Sequence, residues 1–143
     1  EGVSRSLLAQ LTRHRIGFSY SVQSQRYVNA SKHEFGYVTP ESILNYDNPR
    51  ASTPLSEVYD EYMKFSQMLY DKLILSGIKP EDARYVLPNA ATTNIVLSFI
   101  LRSFLDLYSK RNGETHAQWE IAELVESLKS EVIKKEPWVE HLI

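Results

Sequence analysis

Arg13-His14-Arg15 and, nine positions after Arg15, Ser24-Gln25-Arg26-Tyr27 put three guanidiniums, an imidazole and a run of hydroxyls (Ser19, Tyr20, Ser21, Ser24, Tyr27) into one short stretch. A guanidinium offers five donors in a flat fork that matches phosphate and carboxylate oxygens, which the point charge of a lysine does not imitate. A hydroxyl-rich loop between such arginines could close over a polar ring or a sugar. The formal net charge is -2, so the positive cluster is local and not part of a basic field. That balance suits a small anionic ligand better than a nucleic-acid duplex. The bland alternative for Arg26, and for Arg84 further on, is a surface ion pair worth ~0–1 kcal/mol.

The stretch resembles the signature of the flavin-dependent thymidylate synthases, or thymidylate synthase complementing proteins, in which Arg-His-Arg is followed after a short spacer by Ser-x-Arg-Tyr. The resemblance extends down the chain. Asp82-Ala83-Arg84-Tyr85-Val86-Leu87-Pro88 is similar to an Ala-Arg-x-x-Leu-Pro segment of that family. Arg102, Arg111 and His116-Ala117-Gln118-Trp119-Glu120-Ile121 are similar to its arginine-bearing helix and the Ala-Gln-Trp-Glu-Ile that follows. Three blocks in the right order are far more specific than one triplet. There are departures. Eight residues, Ile16 to Gln23, separate Arg15 from Ser24, one more than is usual. Val22 stands where Glu or Gln is common, Ile100-Leu101-Arg102 where Asn-Ala-Arg is common, and one residue is inserted between Arg111 and His116.

The resemblance implies reductive methylation of dUMP to dTMP by an FAD-dependent methyltransferase. Methylenetetrahydrofolate would give the carbon, and NADPH the reducing equivalents. It implies dUMP contacts at Gln10, Arg13, Ser24, Gln25, Arg26, Arg84 and Arg111, with some reaching the nucleotide from a neighbouring subunit of a homotetramer. It implies FAD contacts at Arg13, His14, Arg15, Ile16, Arg102, Asp106 and His116. Arg111 is the expected catalytic cation, stabilising negative charge on the pyrimidine carbonyls. Ser24 is the second catalytic candidate. A serine nucleophile needs an adjacent base and an orienting group, and no serine-hydrolase elbow surrounds it. It therefore reads first as a hydroxyl that hydrogen-bonds dUMP. His116 stays between two readings, flavin contact or unremarkable helix N-terminal residue.

Two alternatives stay open at this level. One is a relative of the same fold that binds dUMP or flavin without turnover, motivated by the longer spacer, Val22 and Ile100. The other is an RNA- or nucleotide-binding module built on Arg13, Arg15 and Arg26, whose affinity would fall steeply with salt.

These residues need elements to hold them. Ser4 is a candidate cap for a short helix with Leu7, Leu8 and Leu11 on one side, delivering Gln10, Arg13 and His14 near its end. Phe18 to Val28 reads as loop and short strand, and His33 to Arg50 as a loop-rich connection. Thr53-Pro54 signals a helix start, Thr as cap and Pro at the first position. Val58, Tyr62, Phe65, Leu69 and Leu73 then give one apolar face that Gly77 terminates. Pro80-Glu81-Asp82 opens a helical turn closed by Pro88. Thr92 to Phe99 reads as a strand. Leu101, Phe104, Leu105 and Tyr108 suit a helix ending near Arg111-Asn112-Gly113. A last helix is expected from Glu114 or Thr115, with Ile121, Val125, Leu128 and Val132 inward and Pro137 as its end. Trp119, Ile121 and Val125 read as core, and Glu57, Asp60, Glu61 and Lys64 as a solvated face.

The sum is a helix-dominated α+β fold with a small sheet. With 143 residues, 43% hydrophobic and 24% charged, the chain is expected to form a single domain. The resemblance makes residues 1–143 the C-terminal two-thirds of the family's catalytic domain. The chain holds no cysteine, which excludes a disulfide framework, a cysteine zinc site or a thiol nucleophile within it. His14, His33, His116 and His141 lack paired metal-ligand spacing, so no metal is expected. The longest apolar run, near Ile95 to Leu101, is too short to span a bilayer, and no signal-peptide pattern opens the chain. The expectation is a soluble, cytoplasmic protein.

Overall fold

The computed structural model describes residues 1–24, 35–47, 49–50 and 52–143. The chain folds as two compact units, Glu1–Ser6 with Val22–Ile95, and Leu7–Ser21 with Val96–Ile143.

In the first unit, β1 (Val3–Ser4) pairs antiparallel with β3 (Thr92–Thr93), Val3 opposite Thr93 and Ser4 opposite Thr92. Its main element is the long helix α3 (Leu55–Leu75), against which the short helices α2 (Glu41–Leu44) and α4 (Pro80–Ala83) and the 3-10 turn Arg84–Val86 pack. Met63, Ser66 and Tyr70 are the buried positions of α3. The expected inward face is thereby corrected, since Val58, Tyr62 and Phe65 are 48%, 55% and 55% exposed. Both faces of α3 carry apolar residues, and the unit's own core takes the one that Tyr70 and Met63 define. The cap is corrected too. Pro54 sits at the N-cap with no side-chain capping bond, so Thr53 does not close the helix. The C-terminus is as expected. Gly77 has φ +84°, its N–H donates to the Ile74 carbonyl at 3.0 Å, and the Ile78 N–H reaches the Leu73 carbonyl at 3.0 Å. This paired arrangement needs a residue that tolerates positive φ. Asp60, expected in the solvated series, is half-buried and is joined by the Tyr37 hydroxyl and by Lys64.

In the second unit, α5 (Leu101–Arg111) packs on α6 (Trp119–Lys135), and α6 on the C-terminal 3-10 turn Pro137–Leu142. Phe104 and Leu107 from α5, Ile121 and Val125 from α6, and Val139 are fully buried. Each such side chain contributes about 1.5–3 kcal/mol relative to remaining in water. β2 (Phe18–Val22) pairs with β4 (Ile95–Phe99), so the expected strand from Thr92 to Phe99 is two strands, interrupted at Asn94 and belonging to different sheets. The last helix begins at Trp119, not at Glu114 or Thr115. The Thr115 hydroxyl is used in the preceding turn, donating to the Asn112 carbonyl at 2.8 Å. The Gln118 side chain instead accepts from the Glu120 and Ile121 N–H groups. Helix α1 (Arg5–Leu11) follows Ser4 directly and buries Leu7 and Leu11.

No helix among the described residues is long and apolar enough to cross a membrane. The α+β class expected from the sequence is the class observed.

Candidate functional site

The Arg-His-Arg triplet begins where α1 runs out. The Arg13 N–H reaches the Gln10 carbonyl at 3.3 Å and the His14 N–H the Leu11 carbonyl at 3.1 Å, one tightened turn beyond the last helical residue. A helix end leaves carbonyls that need donors, and β2 supplies one. The Tyr20 hydroxyl lies 2.6 Å from the His14 carbonyl and 2.9 Å from the Leu11 carbonyl, its single proton serving one at a time. Burial raises the Tyr20 pKa, which keeps the phenol a donor.

Gly17 allows the chain to turn from the triplet into β2. Its φ is +71°, and a Cβ there would stand 2.3 Å from the Ser103 Oγ and 2.7 Å from the Ile100 Cγ1. Its carbonyl accepts from the Ile100 N–H at 3.1 Å, where α5 begins. The triplet is therefore fastened to the start of the arginine-bearing helix by a contact that only glycine permits.

Aromatic rings continue that fastening. His14 meets Phe18 edge-on with centroids 6.4 Å apart, and Phe18 stacks on Tyr20 at 5.8 Å. Phe18 also meets Phe99 at 5.8 Å, and Phe99 stacks on Phe104 at 5.4 Å. Such pairs contribute roughly 0.5–1.5 kcal/mol each beyond their burial. At the far end, the Tyr108 hydroxyl donates to Glu126 at 3.0 Å and accepts from Lys129 at 2.8 Å, tying α5 to α6.

The structure brings two expected residues into direct contact. The Arg111 Nε donates to the His14 Nε2 at 3.3 Å across 97 positions of sequence. Burial, then the Arg111, Lys110 and Arg13 charges, push the His14 pKa down, and Asp106 pushes it the other way. Asp106 itself is exposed and paired with Lys110 at 2.7 Å. Arg13, Arg15, Arg102 and His116 are exposed, and Ile16 is 88% exposed. All seven expected flavin residues fall in the second unit. Arg13, Arg15 and Arg102 make no ion pair among the described residues. Guanidiniums with no ion pair among the described residues, beside an exposed aliphatic side chain, have the right chemistry for a diphosphate joined to a flat ring.

The expected nucleotide residues are divided. Gln10, Arg13 and Arg111 lie in the second unit, Ser24 and Arg84 in the first, and Gln25 and Arg26 lie outside the described residues. Arg84 is half-buried and donates through Nε to the Glu81 carbonyl at 3.0 Å. A cavity of about 540 Å³ in the first unit, between Phe35, Tyr37, Met63 and Gln67, is lined by none of the expected site residues. The anchoring roles of Gly17, Phe18 and Tyr20 were not visible in the sequence. Their one sequence signal is that Phe18 and Tyr20, two apart, share a strand face beside a glycine.

The model of the family described as thymidylate synthase complementing protein matches residues 1–138. The chain belongs to that family. Its relatives include the flavin-dependent thymidylate synthase of Clostridium tetani, 41% identical over 153 residues, which cover 96% of this chain and 57% of that protein. Those of Geobacter sulfurreducens and Pyrococcus abyssi are 41% and 38% identical, over 87% and 95% of this chain and 50% and 53% of their own length. The chain spans about half the length of the curated relatives it matches. Among solved structures, the UMP/dUMP methylase PolB from Streptomyces cacaoi bound with 5-Br UMP is similar with a TM-score of 0.76, over 92% of this chain and 66% of that one. At 22% identity the likeness speaks to the family's fold.

Proposed function

We propose that the chain is part of a flavin-dependent thymidylate synthase that converts dUMP to dTMP. The observation that carries the reading is the Arg111–His14 contact, which joins two motif blocks at the ends of the chain into one cationic site. One carbon comes from methylenetetrahydrofolate, and NADPH supplies the electrons. An FAD held there would, once reduced by NADPH, supply hydride for the pyrimidine ring. The protein's part is binding and charge. Arg111 faces the pyrimidine and stabilises negative charge developing on its carbonyls. Arg13, Arg26 and Arg84, with Gln10, Ser24 and Gln25, hold the nucleotide through fork-shaped and hydroxyl donors. Arg13, His14, Arg15, Ile16, Arg102, Asp106 and His116 hold the flavin. Residues 1–143 serve as one catalytic domain of a cytoplasmic homotetramer. The α3 residues Leu55, Val58, Tyr62 and Phe65, spaced along one exposed side, give that assembly an apolar contact surface.

The test is a visible absorption spectrum of the intact protein titrated with FAD and then with dUMP, followed by turnover. A bound-flavin spectrum that shifts on adding dUMP, with dTMP formed in the presence of folate and NADPH, is expected. Bound ligands without dTMP would mean a non-catalytic relative.

A further inference from the structure

We propose that His14 is a positioning residue: a neutral imidazole protonated on Nδ1, it accepts from the Arg111 Nε and so leaves the Nη1/Nη2 end of the guanidinium to meet a pyrimidine nucleotide. The inference deepens the proposed function and rests on its reading of Arg111. A guanidinium has five donors and no acceptor, so whatever lies against its Nε must offer a lone pair. The atom at 3.3 Å is the His14 Nε2, which must then be unprotonated, and a neutral imidazole carries its single proton on the other nitrogen. The contact therefore fixes the tautomer. It also fixes which edge of Arg111 is spent. The side fork through Nε is occupied, and the two Nη groups remain as parallel donors.

The imidazole has little freedom to drift from this role. Its backbone N–H is bonded to Leu11, its carbonyl to Tyr20, and its ring rests edge-on against Phe18. The charged groups around it are Arg111, Lys110 and Asp106 from α5 and Arg13 from its own turn. Burial and three cations outweigh one carboxylate, so the pKa of the ring is pushed below its ordinary value and the neutral form that the contact requires is favoured. Once protonated, Nε2 bears a hydrogen, and the bond gives way to repulsion between two cations. Arg111 then loses its support.

The experiment has two parts on the intact protein with 15N-labelled histidine. Two-bond 1H–15N correlation reads the His14 tautomer and titration without any ligand. The expected result is the Nδ1–H form with a lowered pKa, and a pKa that rises in Arg111→Ala. An Nε2–H form, or a titration indifferent to Arg111→Ala, would overturn the pairing. The second part measures dUMP affinity against pH for the wild type, His14→Ala and His14→Gln. Alanine should weaken binding on the order of tenfold, the scale of one charge-assisted bond, and glutamine, whose carbonyl can accept, should recover most of the loss. Wild-type affinity should also fall at acid pH by more than His14→Gln, which keeps only the titration of the phosphate near pH about 6. Equal losses in both variants, or identical pH curves, would sink the positioning role. The expected tautomer with no dUMP binding by any variant would instead defeat the nucleotide reading of Arg111, and this use of the pair with it.

Discussion

Helices α3 and α6 are both long, amphipathic and charged on one side, yet their apolar stripes meet different fates. In α6, Ile121 and Val125 are fully buried, with Leu128 and Val132 half-buried, and α5 packs on the helix with Phe104 and Leu107 in the same core. In α3, the stripe of Val58, Tyr62 and Phe65 is exposed, and the unit's own core is made by Met63, Ser66 and Tyr70 on another side. Hydrophobicity at helical spacing shows that a face wants to leave water. It does not say whether the partner is the same fold or another surface. A helix with one apolar face closes a core; a helix with two closes a core and still offers a surface.

The sharpest break of this comparison is to delete one aromatic ring from each. Phe104→Ala should lower the unfolding free energy by about 3–5 kcal/mol, the cost of a large cavity in a packed core. Urea unfolding should give that loss at any protein concentration. Phe65→Ala should behave otherwise. Its cost should grow with protein concentration, because a subunit contact stabilises only the assembled form. A concentration-independent loss as large as that of Phe104→Ala would mean that the α3 stripe belongs to a core within the chain.

Charge on the same stripe gives the next effect. Tyr62→Glu combined with Phe65→Glu should shift the intact protein to smaller species in sedimentation velocity, with far-UV circular dichroism unchanged. The mechanism is desolvation of two carboxylates in an apolar contact. An unaltered sedimentation profile would remove the stripe from the proposed tetramer.

What could be read from the chain itself follows the same division. Local signals were legible: Gly77 as a stop, Pro80 as a start, α5 from Leu101 to Arg111, and the inward Ile121 and Val125. Each depends on residues within a turn or two of one another. The α3 face was not legible, because two apolar sets at helical spacing compete and only tertiary packing chooses between them. The break at Asn94 was hidden for a similar reason. Thr92 to Phe99 has continuous strand character, but its two pieces pair with strands from different parts of the chain. For the site, the motif blocks indicated which residues matter. The bond between His14 and Arg111 depends on a turn, a glycine and an aromatic contact, none of which is visible in spacing.

Two of the glycines with positive φ carry the comparison to the backbone. Gly17 and Gly77 both have positive φ, but a Cβ at Gly77 would meet nothing within 4 Å, whereas one at Gly17 would overlap Ser103 and Ile100. Gly77→Ala should therefore cost about 1 kcal/mol, the strain of the conformation alone. Gly17→Ala should cost about 2–4 kcal/mol, since overpacking adds to that strain. It should also weaken dUMP binding beyond its effect on stability, by displacing the turn that carries His14. Equal destabilisation by the two substitutions would mean that Ser103 and Ile100 move aside freely.

The smallest effect separates the starts of the two helices. Gln118 caps α6 through its side-chain oxygen, while Thr53, which has the better capping side chain by type, leaves the N-cap of α3 to Pro54 without a capping bond. Gln118→Ala should cost about 0.5–1 kcal/mol, because two N–H groups at the helix start lose their acceptor. Thr53→Ala should stay within about 0.5 kcal/mol of the wild type, as an exposed change away from any such contact does. The pair is read most cleanly by chemical denaturation at one protein concentration. If Thr53→Ala proves the costlier of the two, capping preference by residue type outweighs the geometry at both helix starts. If Gln118→Ala does, the glutamine of the Ala-Gln-Trp-Glu-Ile block has a structural reason to be where it is, independent of any ligand.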